Sequence, residues 1–175
     1  GSSEPVIPDA MTLAKGLGGG MPIGALLTFG KEVSQLFTAG QHGTTFGGNP
    51  LATATAGAVL DTIEQEDILS NVRSVGTYLA EHLRELSGVK TVRAYGLWQG
   101  VELETDSILE QGQRLPAGGL APAVVAKALE YGYILNATDA TTLRLAPPLI
   151  ITPDEVDPLL NDLPDIIAET IADAN

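Results

Sequence analysis

Asp9-Ala-Met-Thr-Leu-Ala-Lys15-Gly-Leu-Gly-Gly-Gly20-Met-Pro-Ile-Gly24-Ala25 is the stretch on which the reading of this chain turns. A short apolar run (Met11, Leu13, Ala14) delivers one lysine, Lys15, to the mouth of a loop holding Gly16, Gly18, Gly19, Gly20 and Gly24. Glycine serves where the backbone needs positive φ or where another group must come very close. A lysine beside such a loop is placed to meet a ligand, and a single buried lysine suits Schiff-base formation, in which the neutral amine attacks a carbonyl. Burial disfavours the ammonium form and lowers its pKa from about 10.4. On spacing alone, the commoner reading of such a stretch is a solvated lysine beside a flexible turn, because a lone glycine-rich loop is a weak motif.

Two further segments follow in order. His42-Gly-Thr-Thr-Phe-Gly-Gly-Asn-Pro-Leu-Ala52 sets Thr44 and Thr45 in a loop whose hydroxyls and bare amides can bind phosphate oxygens. Leu143-Arg144-Leu-Ala-Pro-Pro-Leu149 puts a guanidinium in a short apolar strand, where it suits a carboxylate bidentately. Together with Thr12-Leu-Ala-Lys15-Gly-Leu-Gly-Gly-Gly-Met-Pro-Ile-Gly-Ala25, these segments resemble the signatures of the pyridoxal-phosphate-dependent aminotransferases of the ornithine/acetylornithine branch. The resemblance covers the chain from Ile7 onward.

What the resemblance implies is specific. Lys15 carries pyridoxal 5'-phosphate as a Schiff base and later moves a proton between Cα and C4′, the cofactor acting as electron sink. Thr45 meets the cofactor phosphate across a homodimer interface, Thr44 lies on the substrate side, and His42 is a structural loop residue. Arg144 is a carboxylate partner in the substrate pocket or a gate held by an acid, with a structural ion pair as its alternative. The reaction implied moves an amino group from N-acetylornithine or a similar ω-amine to 2-oxoglutarate, in arginine biosynthesis and in the cytoplasm. An aminomutase or decarboxylase of the same family, or a non-catalytic associating domain, remain as alternatives.

In that family the lysine lies past the middle of a longer polypeptide. The acid that pairs with the pyridine nitrogen, the ring stacked on the cofactor and much of the phosphate site precede it, and none of these motifs occurs here. The chain is therefore expected to be the C-terminal portion of a fold-type-I α/β enzyme, inactive by itself. Residues 1–67 would be the remnant of the large cofactor domain and residues 68–175 the small C-terminal α/β domain.

Composition agrees with a packed chain. Of 175 residues, 44% are hydrophobic, enough for a core. The net charge of −13 is uneven: residues 1–60 hold only Glu4, Asp9 and Glu32 against Lys15 and Lys31. The acidic remainder argues against nucleic acid or an anionic membrane as partner. Without cysteine there is no disulfide. No apolar run has the length of a membrane span, and no His/Asp/Glu cluster has metal-ligand spacing.

The rest is an expected order of elements. Strands are expected at Met11–Ala14 and, buried, at Ile23–Phe29, after an extended lead-in at Pro5–Pro8. Lys31–Phe37 suggests a short helix. Asn49-Pro50 opens a longer one with an N-cap and a proline at the first position, broken within Asp61–Glu66. From Ile68, the spacing of Leu69, Val72, Val75, Leu79, Leu83 and Leu86 predicts a helix. A hairpin follows over Val89–Ala94 and Leu97–Leu103, with Trp98 as a packing residue. Leu120–Tyr131 is a helix with Leu120, Val124, Val125, Ala128 and Leu129 on its inner face. Short strands at Tyr133–Asn136 and Thr142–Leu145 precede a capping box, Thr152-Pro-Asp-Glu155. The last helix should be kinked or split by Pro158 and Pro164.

Overall fold

The structure, a computed structural model, describes residues 6–174. The expected lead-in at Pro5 therefore lies partly outside the described residues. The chain divides into two compact units with the boundary between Glu66 and Asp67.

In the first unit, strands β1 (Ala10–Leu13) and β2 (Ala25–Thr28) pair antiparallel from Ala10↔Thr28 to Leu13↔Ala25. Between them Lys15–Gly18 forms one 3-10 turn. The expected buried strand at Ile23–Phe29 is shorter and open: Leu26, Leu27 and Phe29 are exposed, because neither face of a two-stranded ribbon is covered here. Helix α1 spans only Lys31–Ser34. Helix α2 (Pro50–Gln65) starts as the sequence predicts: Asn49 Oδ1 accepts from the Ala52 N–H at 3.0 Å, and Asn49 Nδ2 donates to the Phe46 carbonyl at 3.0 Å. It runs unbroken through Asp61 to Gln65. The break falls at the end of the expected range, at Glu66, and is followed by Asp67, whose φ of 47° is left-handed. α2 packs on the 3-10 turn, and Gly19 lets Val59 approach.

The second unit layers helices on a sheet. Its elements are α3 (Ile68–Glu85), β3 (Val89–Tyr95), β4 (Trp98–Leu103), α4 (Asp106–Glu110), α5 (Leu120–Glu130), β5 (Asn136–Ala137), β6 (Thr142–Leu145) and α6 (Pro153–Ala172). The strands make one antiparallel sheet in the order β3-β4-β6-β5. Gln99, Val101 and Leu103 alternate with Trp98, Gly100 and Glu102, so one face of β4 is buried and the other is open. α3 and α5 lie on the sheet, and α6 packs on both helices. Leu83, Leu143, Leu163 and Ile166 are fully enclosed in the shared core.

Five expectations change here. Leu69 is exposed rather than on the inner face of α3, and the strand expected at Tyr133–Asn136 forms only as β5, Asn136–Ala137. Leu129 is exposed; the inner stripe of α5 is Leu120, Ala121, Val124 and Ala128. Trp98 stands on the open sheet face, 65% exposed, rather than in the core. Pro158 and Pro164 do not split α6, which is one helix of 20 residues. An interior proline costs about 3 kcal/mol. Burial of Val156, Leu160, Leu163, Ile166 and Ile167 along one stripe outweighs it, at roughly 1.5–3 kcal/mol for each large side chain. The capping box forms: Glu155 accepts from the Thr152 N–H at 2.9 Å and its hydroxyl at 2.8 Å, which holds the Glu155 carboxyl below its usual range.

The β3–β4 hairpin is clamped to α3. Gly96 and Leu97 form its two-residue turn, with Gly96 at φ 56°, the glycine-first pattern that suits strand twist. A Cβ on Gly76 of α3 would overlap the Gly96 backbone, so the two glycines allow the contact. Gln99 Nε2 then donates to both carbonyls, Gly76 O at 2.7 Å and Gly96 O at 3.0 Å.

Candidate functional site

Lys15 is where β1 ends and the glycine-rich loop begins. Its φ of 55° is left-handed, unlike Ala14 before it, which is extended. For a residue with a Cβ this conformation costs roughly 1–2 kcal/mol. Such strain persists where the surrounding structure imposes it, and it clusters at functional sites. The sequence does not announce this, since nothing in the letters marks a lysine rather than its glycine neighbours for positive φ. The expectation of a buried lysine is not met in this chain: Lys15 is exposed, and among the described residues its amine has no hydrogen-bond partner.

Thr44 and Thr45 lie in the exposed loop before α2. Gly47 is required beside Thr44, because a Cβ there would overlap the Thr44 methyl. Thr44 joins Pro22, Ile23 and Gly24 of the glycine-rich stretch, with Gly48 and Asn49, around a cleft of about 350 Å³. Lys15 and Thr45 do not line it. His42 stands edge-on to Phe37 at 5.7 Å, a loop-packing role.

Arg144 sits in the middle of β6, paired with Gly100 of β4 and Asn136 of β5, and its side chain is exposed on the open sheet face. Among the described residues it makes no ion pair. The strand's start is fixed by Asp139, whose Oδ1 accepts from the N–H groups of Thr141 (2.9 Å) and Thr142 (2.8 Å). Those bonds hold the Asp139 carboxyl below its usual range. Arg144 shares a groove of about 320 Å³ with Arg93, Tyr95, Trp98, Gly100 and Thr138. Sequence reasoning passed over Arg93. The available signal was strand alternation, which sets Arg93 opposite in phase to Val92 on β3. Beside the groove Arg93 pairs with Glu102 at 3.3 Å, and Lys90 with Asp106 at 2.7 Å.

Among the described residues no group of His, Asp and Glu could hold a metal, and no helix is long and apolar enough to cross a membrane. The residues do fit pyridoxal phosphate: an unpartnered amine held by a strained backbone, and two threonine hydroxyls in a glycine-lined loop.

An α/β chain with a lysine leading into a glycine-rich loop is joined here by the match of residues 2–167 to the family described as aminotransferase class-III; the chain belongs to that family, whose members depend on pyridoxal phosphate. Among particular proteins, it is similar to acetylornithine aminotransferase 1 of Bordetella parapertussis, 43% identical over 169 residues, covering 94% of this chain and 39% of that protein. It is also similar to the acetylornithine aminotransferase of Aquifex aeolicus, 44% identical over 160 residues, covering 91% and 38%. Among solved structures, a transaminase from the marine bacterium Virgibacillus superposes with a TM-score of 0.80 at 28% identity, over 97% of this chain and 41% of that one. The acetylornithine aminotransferase from Elizabethkingia anophelis superposes with a TM-score of 0.66 at 30% identity, over 96% and 42%. The chain thus spans about two-fifths of the length of the curated relatives it matches.

Proposed function

We propose that this chain is the lysine-bearing and C-terminal part of an aminotransferase that moves an amino group from N-acetylornithine, or a similar ω-amine, to 2-oxoglutarate in arginine biosynthesis. The observation that carries the reading is Lys15: a lone exposed amine on left-handed backbone at the mouth of a glycine-rich loop, in a chain of a pyridoxal-phosphate-dependent family. The relatives' names support the substrate pair. Residues 1–67 then belong to the cofactor domain and residues 68–175 form the small C-terminal domain, working as a cytoplasmic homodimer.

Lys15 would hold the cofactor through its amine. The bound cofactor supplies an electron sink that lets a proton leave the carbon bearing the substrate amine. Once freed, the Lys15 amine would be the base that takes that proton and delivers it to the far side of the substrate nitrogen, a transfer that needs a movable base on one face. The Thr45 hydroxyl binds phosphate in the partner subunit's site, Thr44 borders the substrate, and the Arg144 guanidinium binds its carboxylate.

The test uses the full-length enzyme. Borohydride reduction followed by peptide mapping is expected to label Lys15, and Lys15→Ala is expected to abolish transamination while the fold persists. A label on another lysine would overturn the assignment.

A further inference from the structure

Strand β3 is an edge of the four-stranded sheet, with β4 on one side and no strand on the other among the described residues. The two-residue turn makes Tyr95↔Trp98 a hydrogen-bonded pair. Ala94↔Gln99 and Val92↔Val101 are then the alternate pairs, whose N–H and C=O groups point away from the neighbouring strand. Val92 and Ala94 therefore turn their backbone groups outward. Arg84 of α3 reaches one of them, its Nη2 donating to the Val92 carbonyl at 3.4 Å. Among the described residues the Ala94 N–H and carbonyl have no partner.

Beside this edge, α3 and β3 border a groove of about 340 Å³. It runs from Arg84, next to Val92, past Thr77 and Ala94 to Gly76, which touches Gly96, and ends at Arg73 one turn away on α3. Small residues keep it open: on the inner side of β3, where Val92 is buried, Ala94 is exposed. No carboxylate lines the groove. Arg73 Nη2 donates to Ser70 Oγ at 2.9 Å, and among the described residues neither arginine makes an ion pair. In a chain of net charge −13, this edge is a local reversal of the acidic surface.

We propose that this edge is a docking site for an extended acidic segment of another protein, which adds a strand beside β3 and lays alternate side chains into the groove. Main-chain bonds to Ala94 give such a complex its affinity, and the groove gives it specificity. Arg73 and Arg84 are eleven residues apart on one helix, roughly 16 Å along its axis. About five residues of extended chain cover that span, and acids four positions apart share one face of a strand. One carboxylate therefore meets each guanidinium, and a small side chain midway lies over the small residues between them. A second copy of this chain is a poor occupant. Pairing two β3 edges would bring the Arg73 and Arg84 of both copies to one seam with no carboxylate lining it.

The experiment uses the full-length enzyme and a fluorescein-labelled, capped heptapeptide, Thr-Glu-Thr-Ala-Thr-Glu-Thr, followed by anisotropy. Saturable binding is expected, with slowed amide exchange over residues 92–95. Arg73→Gln and Arg84→Gln should each weaken binding about tenfold at an unchanged melting temperature. The peptide with both acids replaced by glutamine should bind about a hundredfold more weakly. Shifting one acid by a single position turns it to the other face and should cost about tenfold. Ala94→Pro removes the outward N–H at a place where an edge strand tolerates proline, and should abolish binding. Binding that survives both arginine variants, or that the glutamine peptide matches, overturns the proposal. So does a probe that fails to saturate. Slow exchange at Ala94 in the enzyme alone would then assign the edge to the enzyme's own polypeptide, and saturation by inorganic phosphate would assign the arginines to small anions.

Discussion

In the unit that begins at Asp67, Leu83, Leu143 and Leu163 are fully enclosed; in the unit that ends at Glu66, Leu26, Leu36, Leu51 and Leu60 face solvent. Among the described residues of the first unit the buried apolar side chains are only Ala52 and Ala56, on the face of α2. Local signals are as good in the first unit as in the second: an N-capped helix, a paired ribbon, a glycine-rich turn. What differs is a second layer. The sheet of the second unit has α3 and α5 over its apolar face, and the ribbon of the first has no such cover. Elements follow local chemistry, but a core needs two apolar surfaces that face each other.

Substitutions at leucines should expose this contrast most strongly. Leu163→Ala is expected to cost about 3–4 kcal/mol in urea unfolding monitored within the second unit, whereas Leu26→Ala should cost under about 0.5 kcal/mol. Equal losses would mean that the first unit is packed in solution.

A smaller effect has the opposite sign and belongs to the first unit. Lys15→Gly relieves a left-handed backbone at a residue with a Cβ and should slow amide exchange in β1 and β2, equivalent to about 1 kcal/mol. Lys15→Ala keeps the strain and should not. If both substitutions act alike, the strain is not stored at this position.

The weakest handle is the tyrosines at alkaline pH, and all four of them lie in the second unit. Tyr133 donates to Asp162 Oδ2 at 2.6 Å, and that bond pushes its hydroxyl up to about 12. A group raised in the folded state contributes stability that is complete below its unfolded value, about 10. That contribution fades as pH rises through about 12. Unfolding followed between pH 9 and 12 should show the loss in the parent and a smaller one in Tyr133→Phe. A parallel loss in the variant would assign it to Tyr78 or Tyr131, which carry similar bonds to Asp157 and Glu169.

Legibility in the sequence followed the range of the interactions. Asn49-Pro50, Thr152–Glu155 and the spacing from Ile68 to Leu83 are local devices, and α2, α6 and α3 begin where they say. The unsplit α6 was not legible, because what overrides Pro158 and Pro164 is burial against α3 and α5. Trp98 looked like core because aromatic residues usually are. Only the register with β6, which buries Gln99 and Val101, shows that it faces outward. Within the candidate site, Lys15, Thr44, Thr45 and Arg144 stand in contiguous motifs and were visible as residues. The left-handed backbone of Lys15 and the placing of Arg93 two strands from Arg144 arise from conformation and pairing, which single letters do not carry.

The Gln99 clamp has a consequence for the order in which the second unit assembles. It joins residues 23 positions apart, whereas the bond from Tyr78 on the same helix to Asp157 of α6 joins residues 79 apart. Closing the longer loop costs about 1 kcal/mol more in chain entropy. α3 and its hairpin are therefore expected to meet first, as a locally connected nucleus, with Gly76→Ala slowing refolding as the check. α6, whose stripe completes the core, arrives afterward on a surface already built, so the glycine at 76 acts on how fast this protein folds as well as on how tightly it packs.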